Sequence, residues 1–191
     1  MMNATLEEVT THNLIKELIT RIGDDPEREG LVNTPKRVVK SWEKLFGGYK
    51  QGVENHLGVK FKSEGYDEIV LLKNIEFYST CEHHMLPFYG VAHVAYIPKD
   101  WLVGISKLAR LVEVYARRLQ IQERLTINIA HTLKNYLEPI GAGCVIEAKH
   151  HCMLCRGVEK QNSSMVTSTL LGALYNDPRA RQEFFDLIKM R

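Results

Sequence analysis

Long apolar runs are missing from this 191-residue sequence, and nothing in it approaches the ~20 apolar residues of a membrane span. The amino terminus, MMNATLEEVTTHNLIKELITRI, breaks up its apolar positions with acidic residues. It has neither an apolar core of signal-peptide length nor a small-residue cleavage site, so a cytoplasmic protein is expected. Charge of one sign is also missing. Twenty-five Lys and Arg against 23 Asp and Glu leave a net +2, which argues against a surface built for nucleic acid but allows a local basic pocket. Cysteine is scarce. Cys81, Cys144, Cys152 and Cys155 are too few for a disulfide scaffold in a chain of this length. As reduced thiols beside histidines they point to metal or catalysis before a crosslink. No repeat, low-complexity tract or linker-like stretch interrupts the chain, which is long enough to bury a core without staples.

What is present has a clear order. Leu6, Val9, Leu14, Leu18 and Ile22 recur at helical spacing until Gly23-Asp24-Asp25-Pro26 stops them. Thr34-Pro35 signals a second helix, with Thr34 as cap, running to Gly47-Gly48. Residues 51–65 read as a loop. Strand chemistry follows at 68–80 and 89–97, rich in β-branched and aromatic residues. Two helical stripes come next, Leu108–Tyr115 behind Ser106 as a possible cap, and Leu125–Leu137 ending before Pro139. Strands return at 143–153 and at about 165–171, and Asp177-Pro178 opens a final helix. Adjacent strand pairs with short connections favour antiparallel pairing, so the class is α+β.

The chemistry concentrates in two places. Cys81-Glu82-His83-His84 sits in the connection between the first two strands, and its C-x-x-H spacing lets a thiolate and an imidazole share an ion. Alone it is weak. The second cluster, His150-His151-Cys152-Met153-Leu154-Cys155, ends a strand on which Ile146, Ala148, His150 and Cys152 share a face by the period of two. Together the clusters make a shared zinc site the expectation. Two versions compete: a closed structural site of Cys81, His84, Cys152 and Cys155, and an open catalytic one without Cys155. Cys155 departs from the register of Cys152, and His83 and His150 remain as spare acid–base groups; both favour the open site.

Basic residues recur at helical spacing: Arg37 and Lys40, then Lys107 and Arg110 beside Ser106, with Arg156 after the second cluster. Each alone is an ordinary solvated charge; a phosphate site needs several to converge. Gln122 and Glu123 lie where the two middle helices meet, and Glu123 is either a first-turn carboxylate or a partner for the N–H and NH₂ donors of guanine.

Three stretches, STCEHHMLPFYGVAHVAYIP, GISKLARLVEVYARRLQIQERLT and EAKHHCMLCRGVEKQNSSMVTSTLLG, occur in the order that resembles GTP cyclohydrolase I, with TPKRV and DPRARQEFFDLI also fitting. The resemblance implies conversion of GTP to 7,8-dihydroneopterin triphosphate and formate, the first step of folate and tetrahydrobiopterin synthesis. It implies a Zn²⁺ cofactor on Cys81, His84 and Cys152, which selects the open site. Zinc brings the ionisation of its water toward pH ~7, which suits hydrolysis at C8 of the purine. His83 and His150 match residues near the reacting ring; either could protonate a ring nitrogen as the ring opens, and His150 is taken as an acid–base group. Glu123 matches the guanine anchor, with Gln122 beside it. Ser106, Lys107, Arg110 and Arg156 match triphosphate contacts, and Arg37 and Lys40 match contacts from a neighbouring subunit.

The implied fold is the tunnelling fold: an antiparallel four-stranded sheet with paired helices and an N-terminal helical extension, assembled as two pentamers into a toroidal homodecamer with sites between subunits. On that basis residues 1–66 form the helical region and 67–191 the catalytic domain. Partners are GTP and further copies of the chain, with no nucleic acid and no membrane. His151 is unusual company for the zinc cysteine and should face the opposite side of its strand. Cys155 adds an oxidisable thiol near the metal, and oxidant sensitivity is expected. The rival functions are a non-catalytic zinc-stapled interaction module using Cys155 and another tunnelling-fold pterin or purine enzyme.

Overall fold

The computed structural model describes residues 10–190 and divides into two compact units, one ending at Phe46 and one starting at Gly47. The first unit is a helix pair, α1 (Thr11–Ile22) and α2 (Thr34–Leu45). Thr10 caps α1 by accepting a hydrogen bond from the Asn13 N–H, and Ile15 and Ile19 form its buried face. Gly23 ends it at φ 102, a left-handed conformation that suits glycine. Leu6 and Val9, expected to extend this stripe, lie outside the described residues. In α2 the N-cap is Asn33 rather than Thr34, which is itself the first helical residue ahead of Pro35.

The second unit carries the sheet. The stretch expected as loop contains α3 (Glu54–Leu57) and β1 (Lys60–Lys62). Then come β2 (Val70–Cys81), β3 (Pro87–Ile97), β4 (Trp101–Val103), α4 (Ile105–Ala116), β5 (Leu119–Gln120) and α5 (Gln122–Leu137). The chain finishes with β6 (Gly141–His150), α6 (His151–Leu154), β7 (Met165–Gly172), α7 (Ala173–Asn176) and α8 (Pro178–Lys189). The class is α+β. The main sheet has the order β5-β2-β3-β6-β7, and β1 pairs separately with β4. The four long strands are antiparallel; β5 adds two residues in parallel, Thr80 opposite Leu119 and Cys81 opposite Gln120.

Alternation sorts each strand into two cores. Phe77, Phe88, Ala92, Val94, Tyr96 and Ile146 face α4 and α5, meeting Leu108, Leu111, Leu125, Ile129 and Leu133. Ala95, Ile97 and Val145 face the other way, onto Leu174 and Phe184. Burying each large apolar side chain contributes about 1.5–3 kcal/mol, so the sheet is held from both sides. Close packing of β3 on β6 depends on Gly90, where a Cβ would come within 1.9 Å of the Glu147 carbonyl oxygen. One register shift interrupts β2, between Leu72 and Ile75, and places Asn74 at φ 57. No described helix is long and apolar enough to cross a membrane.

Candidate metal centre and active site

The adjacency of β2, β3 and β6 brings the two Cys/His clusters together. Cys81 is the last residue of β2, and a tight turn reverses the chain into β3. The Cys81 N–H donates to Leu86 O and the Met85 N–H to Cys81 O, both at 2.8 Å, with Met85 at φ 53. Phe88 of β3 pairs with His150, so the turn lies beside the end of β6. There the strand stops. The period-two expectation carried through Cys152 is corrected here: His151–Leu154 is a helical turn, and Cys152 reaches the site from it.

The outcome is a three-donor cluster. One donor atom each from Cys81, His84 and Cys152 lies within 4.8 Å of the others. Cys81 Sγ is 3.7 Å from His84 Nδ1. A tetrahedral zinc, with bonds of about 2.3 Å to sulfur and 2.0–2.1 Å to nitrogen, holds such donors roughly 3.5–3.8 Å apart. The trio therefore fits zinc with at most about 1 Å of closure. Burial, then the adjoining Cys81 sulfur, pushes the Cys152 thiol up. A dication between two thiols reverses that penalty by favouring both thiolates. Cys155 stands outside the cluster, exposed, with its thiol directed to His151 O at 3.0 Å. Three protein donors leave one tetrahedral position for water or substrate, the arrangement of catalytic rather than structural zinc.

His150, the last residue of β6 and two residues before Cys152, is held on two sides. Its ring stacks on Phe88, with centroids 4.6 Å apart and planes 3° from parallel. Its Nε2 lies 2.8 Å from Gln122 Oε1. Burial holds His150 below the ordinary histidine range, opposed by the charge of nearby Glu123. A cleft of about 260 Å³ opens beside it, lined by Met153, Ser163, Ser164 and Met165 among others. His151 goes the other way: its ring tilts against Tyr89 at 5.8 Å, on the opposite side of β3 from Phe88.

The remaining candidates occupy different places. His83 is exposed, with Nε2 3.9 Å from Glu82 Oε1. Glu123 is exposed in the first turn of α5, whereas Gln122 is buried with its amide engaged by the protein. Arg156 follows α6 and donates to Cys152 O at 3.4 Å. Ser106, Lys107 and Arg110 lie along the first two turns of α4; Gly104, not Ser106, is its N-cap. Arg37 and Lys40 are exposed on α2, in the first unit.

Comparison with known proteins now decides the family. The family model for GTP cyclohydrolase I matches residues 11–189. The chain belongs to the GTP cyclohydrolase I family. Among its relatives, GTP cyclohydrolase 1 of Wolinella succinogenes is 56% identical over 183 residues, covering 96% of this chain and 98% of that one. The protein of the same name from Leptospira biflexa is 54% identical over 177 residues, covering 93% and 97%. That from Pseudoalteromonas translucida is 50% identical over 182 residues, covering 93% and 99%. With the Cys81, His84 and Cys152 cluster in hand, the cofactor of this GTP cyclohydrolase I family member is Zn²⁺.

Two contacts at the site were not anticipated from the sequence. Phe88 stacks on His150. Arg124 pairs with Glu82 in the turn between Cys81 and His84. Neither has a local signature; both arise from strand and helix adjacency.

Proposed function

We propose that the chain is a zinc-dependent GTP cyclohydrolase I, converting GTP to 7,8-dihydroneopterin triphosphate and formate. The observation that carries this is the open Cys81, His84 and Cys152 set, with His150 clamped two residues before Cys152, in a chain matched to the family over nearly its whole length. The zinc, when bound, supplies Lewis acidity that makes hydrolysis feasible near neutral pH.

The chain's own groups do the rest. Glu123 pairs with the donors of guanine and fixes the base, with Gln122 beside it. Ser106, Lys107, Arg110 and Arg156, joined by Arg37 and Lys40 of a neighbouring subunit, hold the triphosphate through charge-assisted hydrogen bonds. That anchoring would hold C8 toward the side chains of Cys81, His84 and Cys152. His150 exchanges protons with the purine as its five-membered ring opens, and His83 assists. Two additions of water release C8 as formate. The ribose then opens, rearranges and condenses with the diamine to close the pterin ring.

Residues 67–191 are the catalytic domain and 1–66 its extension, mainly helical but including β1, which pairs with β4. The subunits join as two pentameric rings in a cytoplasmic homodecamer. Two observations support assembly. β7 ends the sheet on one side, and on the other β5 pairs with only the last two residues of β2, so long strand edges ask for cover. The cleft beside His150, about 260 Å³, is also below the roughly 300–1,000 Å³ of most ligand pockets, as expected of a site completed by a second subunit.

The test is incubation with GTP, followed by oxidation and fluorescence detection of neopterin. Pterin should form, stop on chelation, and return with added zinc. Absence of pterin from zinc-loaded protein overturns the proposal.

A further inference from the structure

Gln122 is expected from the resemblance to accompany Glu123 at the base, but its surroundings assign it other work. It is 1% exposed. Its Nε2 lies 3.1 Å from Ile146 O, 2.9 Å from Met165 O and 3.1 Å from Thr167 Oγ1. Two of these are backbone carbonyls, which can only accept, so the amide nitrogen must sit there and Oε1 must face His150. Behind it the Thr126 hydroxyl donates to Gln122 O at 2.7 Å and lies 2.7 Å from Thr167 Oγ1. With its hydrogen spent, Thr126 accepts from Thr167, and Thr167 accepts from the Gln122 amide. The two amide hydrogens are shared among three acceptors, and the amide cannot flip without setting its oxygen against two carbonyls.

This orientation passes to the histidine. Oε1 is an acceptor, so the His150 Nε2, 2.8 Å away, must donate. The hydrogen bond at one ring nitrogen decides which tautomer is present. Phe88 fixes the ring plane from one face. We infer that Gln122 is a positioning residue that holds His150 in the Nε2–H tautomer, leaving Nδ1 as the nitrogen that trades protons with the substrate. The role of the tautomer in turnover rests on His150 being the acid–base group of the proposed reaction; the tautomer itself does not.

The experiment compares Gln122→Met, which keeps the volume and removes the acceptor, with Gln122→Glu, whose buried carboxyl stays protonated and offers one acceptor and one donor. Partners of metal-bound histidines cost about 10–100-fold in activity when lost, and the same range is expected for this partner of a histidine two residues from a ligand. Gln122→Met should lower kcat by that factor while KM for GTP and zinc content hold, and Gln122→Glu should recover most of it. The zinc-loaded protein labelled with ¹⁵N-histidine, measured by solid-state NMR near pH ~8 where a free imidazole is neutral, gives a direct readout. The resonance pair that disappears in His150→Asn should show a protonated Nε2 in the unaltered protein and mixed tautomers in Gln122→Met. A raised KM with kcat retained makes Gln122 a base contact and overturns the inference, as does unchanged kcat with an unchanged tautomer. If Gln122→Met does not fold, the unaltered protein decides alone, since a protonated Nδ1 overturns it. Absence of pterin from the unaltered protein overturns the proposed reaction and leaves the spectrum to judge the tautomer.

Discussion

Glu82 and Arg124 form an ion pair that ties the metal turn to helix α5. The Arg124 guanidinium also donates to Gln120 Oε1 at 3.0 Å and to Leu119 O at 3.3 Å, while the Glu82 N–H donates to Gln120 O at 3.0 Å. Glu82, one of the two residues between the donors Cys81 and His84, is thus fastened to β5 and α5 together. The hydrogen bond from Arg124 holds the Glu82 carboxyl below its ordinary range.

An exposed ion pair of this kind adds little to global stability. Its effect should appear at the metal instead. Arg124→Ala should leave the thermal midpoint nearly unchanged and weaken zinc affinity by about 10-fold, the lower end for partners of metal-binding elements. Competition with a chelator of known affinity measures it. Unchanged zinc affinity would show that the turn stands without the pair.

The proposed roles of His150 and Cys81 separate cleanly. His150→Ala should retain zinc and lose about 10²–10⁴-fold in pterin formation, the range for a positioned acid–base group. Cys81→Ala should lose the zinc itself. Metal analysis beside the fluorescence assay distinguishes the two, and normal turnover by His150→Ala would remove that residue from the chemistry.

Much of this architecture is written in the residue pattern. The apolar alternation of β2, β3, β6 and β7 and the stripes of α4 and α5 are long enough to read. β5 is not, because two residues have no period; it exists because the end of β2 offers it a parallel edge. Cys152 was legible as a donor but not as helical, since alternation continues through His150 and nothing in the residues marks the change. Gln122 carried a usable signal. It stands three, seven and eleven residues before Leu125, Ile129 and Leu133, on their buried stripe, so burial of its amide follows from the same spacing as the core. What no local pattern holds is the pairing of Phe88 with His150, which depends on strands meeting across the sheet.

Cys155 distinguishes a catalytic site from a zinc staple. It lies outside the donor cluster and is exposed, one helical turn from Cys152. Cys155→Ser should keep zinc and turnover. Peroxide should inactivate the unaltered protein faster than the variant, since an exposed thiol three residues from Cys152 can serve an oxidised sulfur as a resolving partner. Loss of zinc from Cys155→Ser would instead make it the fourth ligand, and equal peroxide sensitivity would free it of any redox part.

His93 predicts how stability responds to acid. It is 7% exposed on β3, and its Nδ1 accepts from the Asn74 N–H at the β2 bulge, 3.4 Å away. Burial lowers its pKa below 6.5; Glu147 opposes the shift and Lys73 adds to it. The unfolded chain then binds a proton more readily than the native one as pH falls through about 6.5. The contribution of neutral His93 is present above that pH and is lost between it and the lower native pKa. His150 is shifted in the same direction, so the slope has two sources. His93→Asn keeps an acceptor near the Asn74 N–H and removes one titration. Thermal midpoints of the variant should fall less steeply than those of the unaltered protein from neutral pH to mildly acidic pH, whatever its stability at neutral pH. Equal slopes would show that His93 does not take up the proton on unfolding.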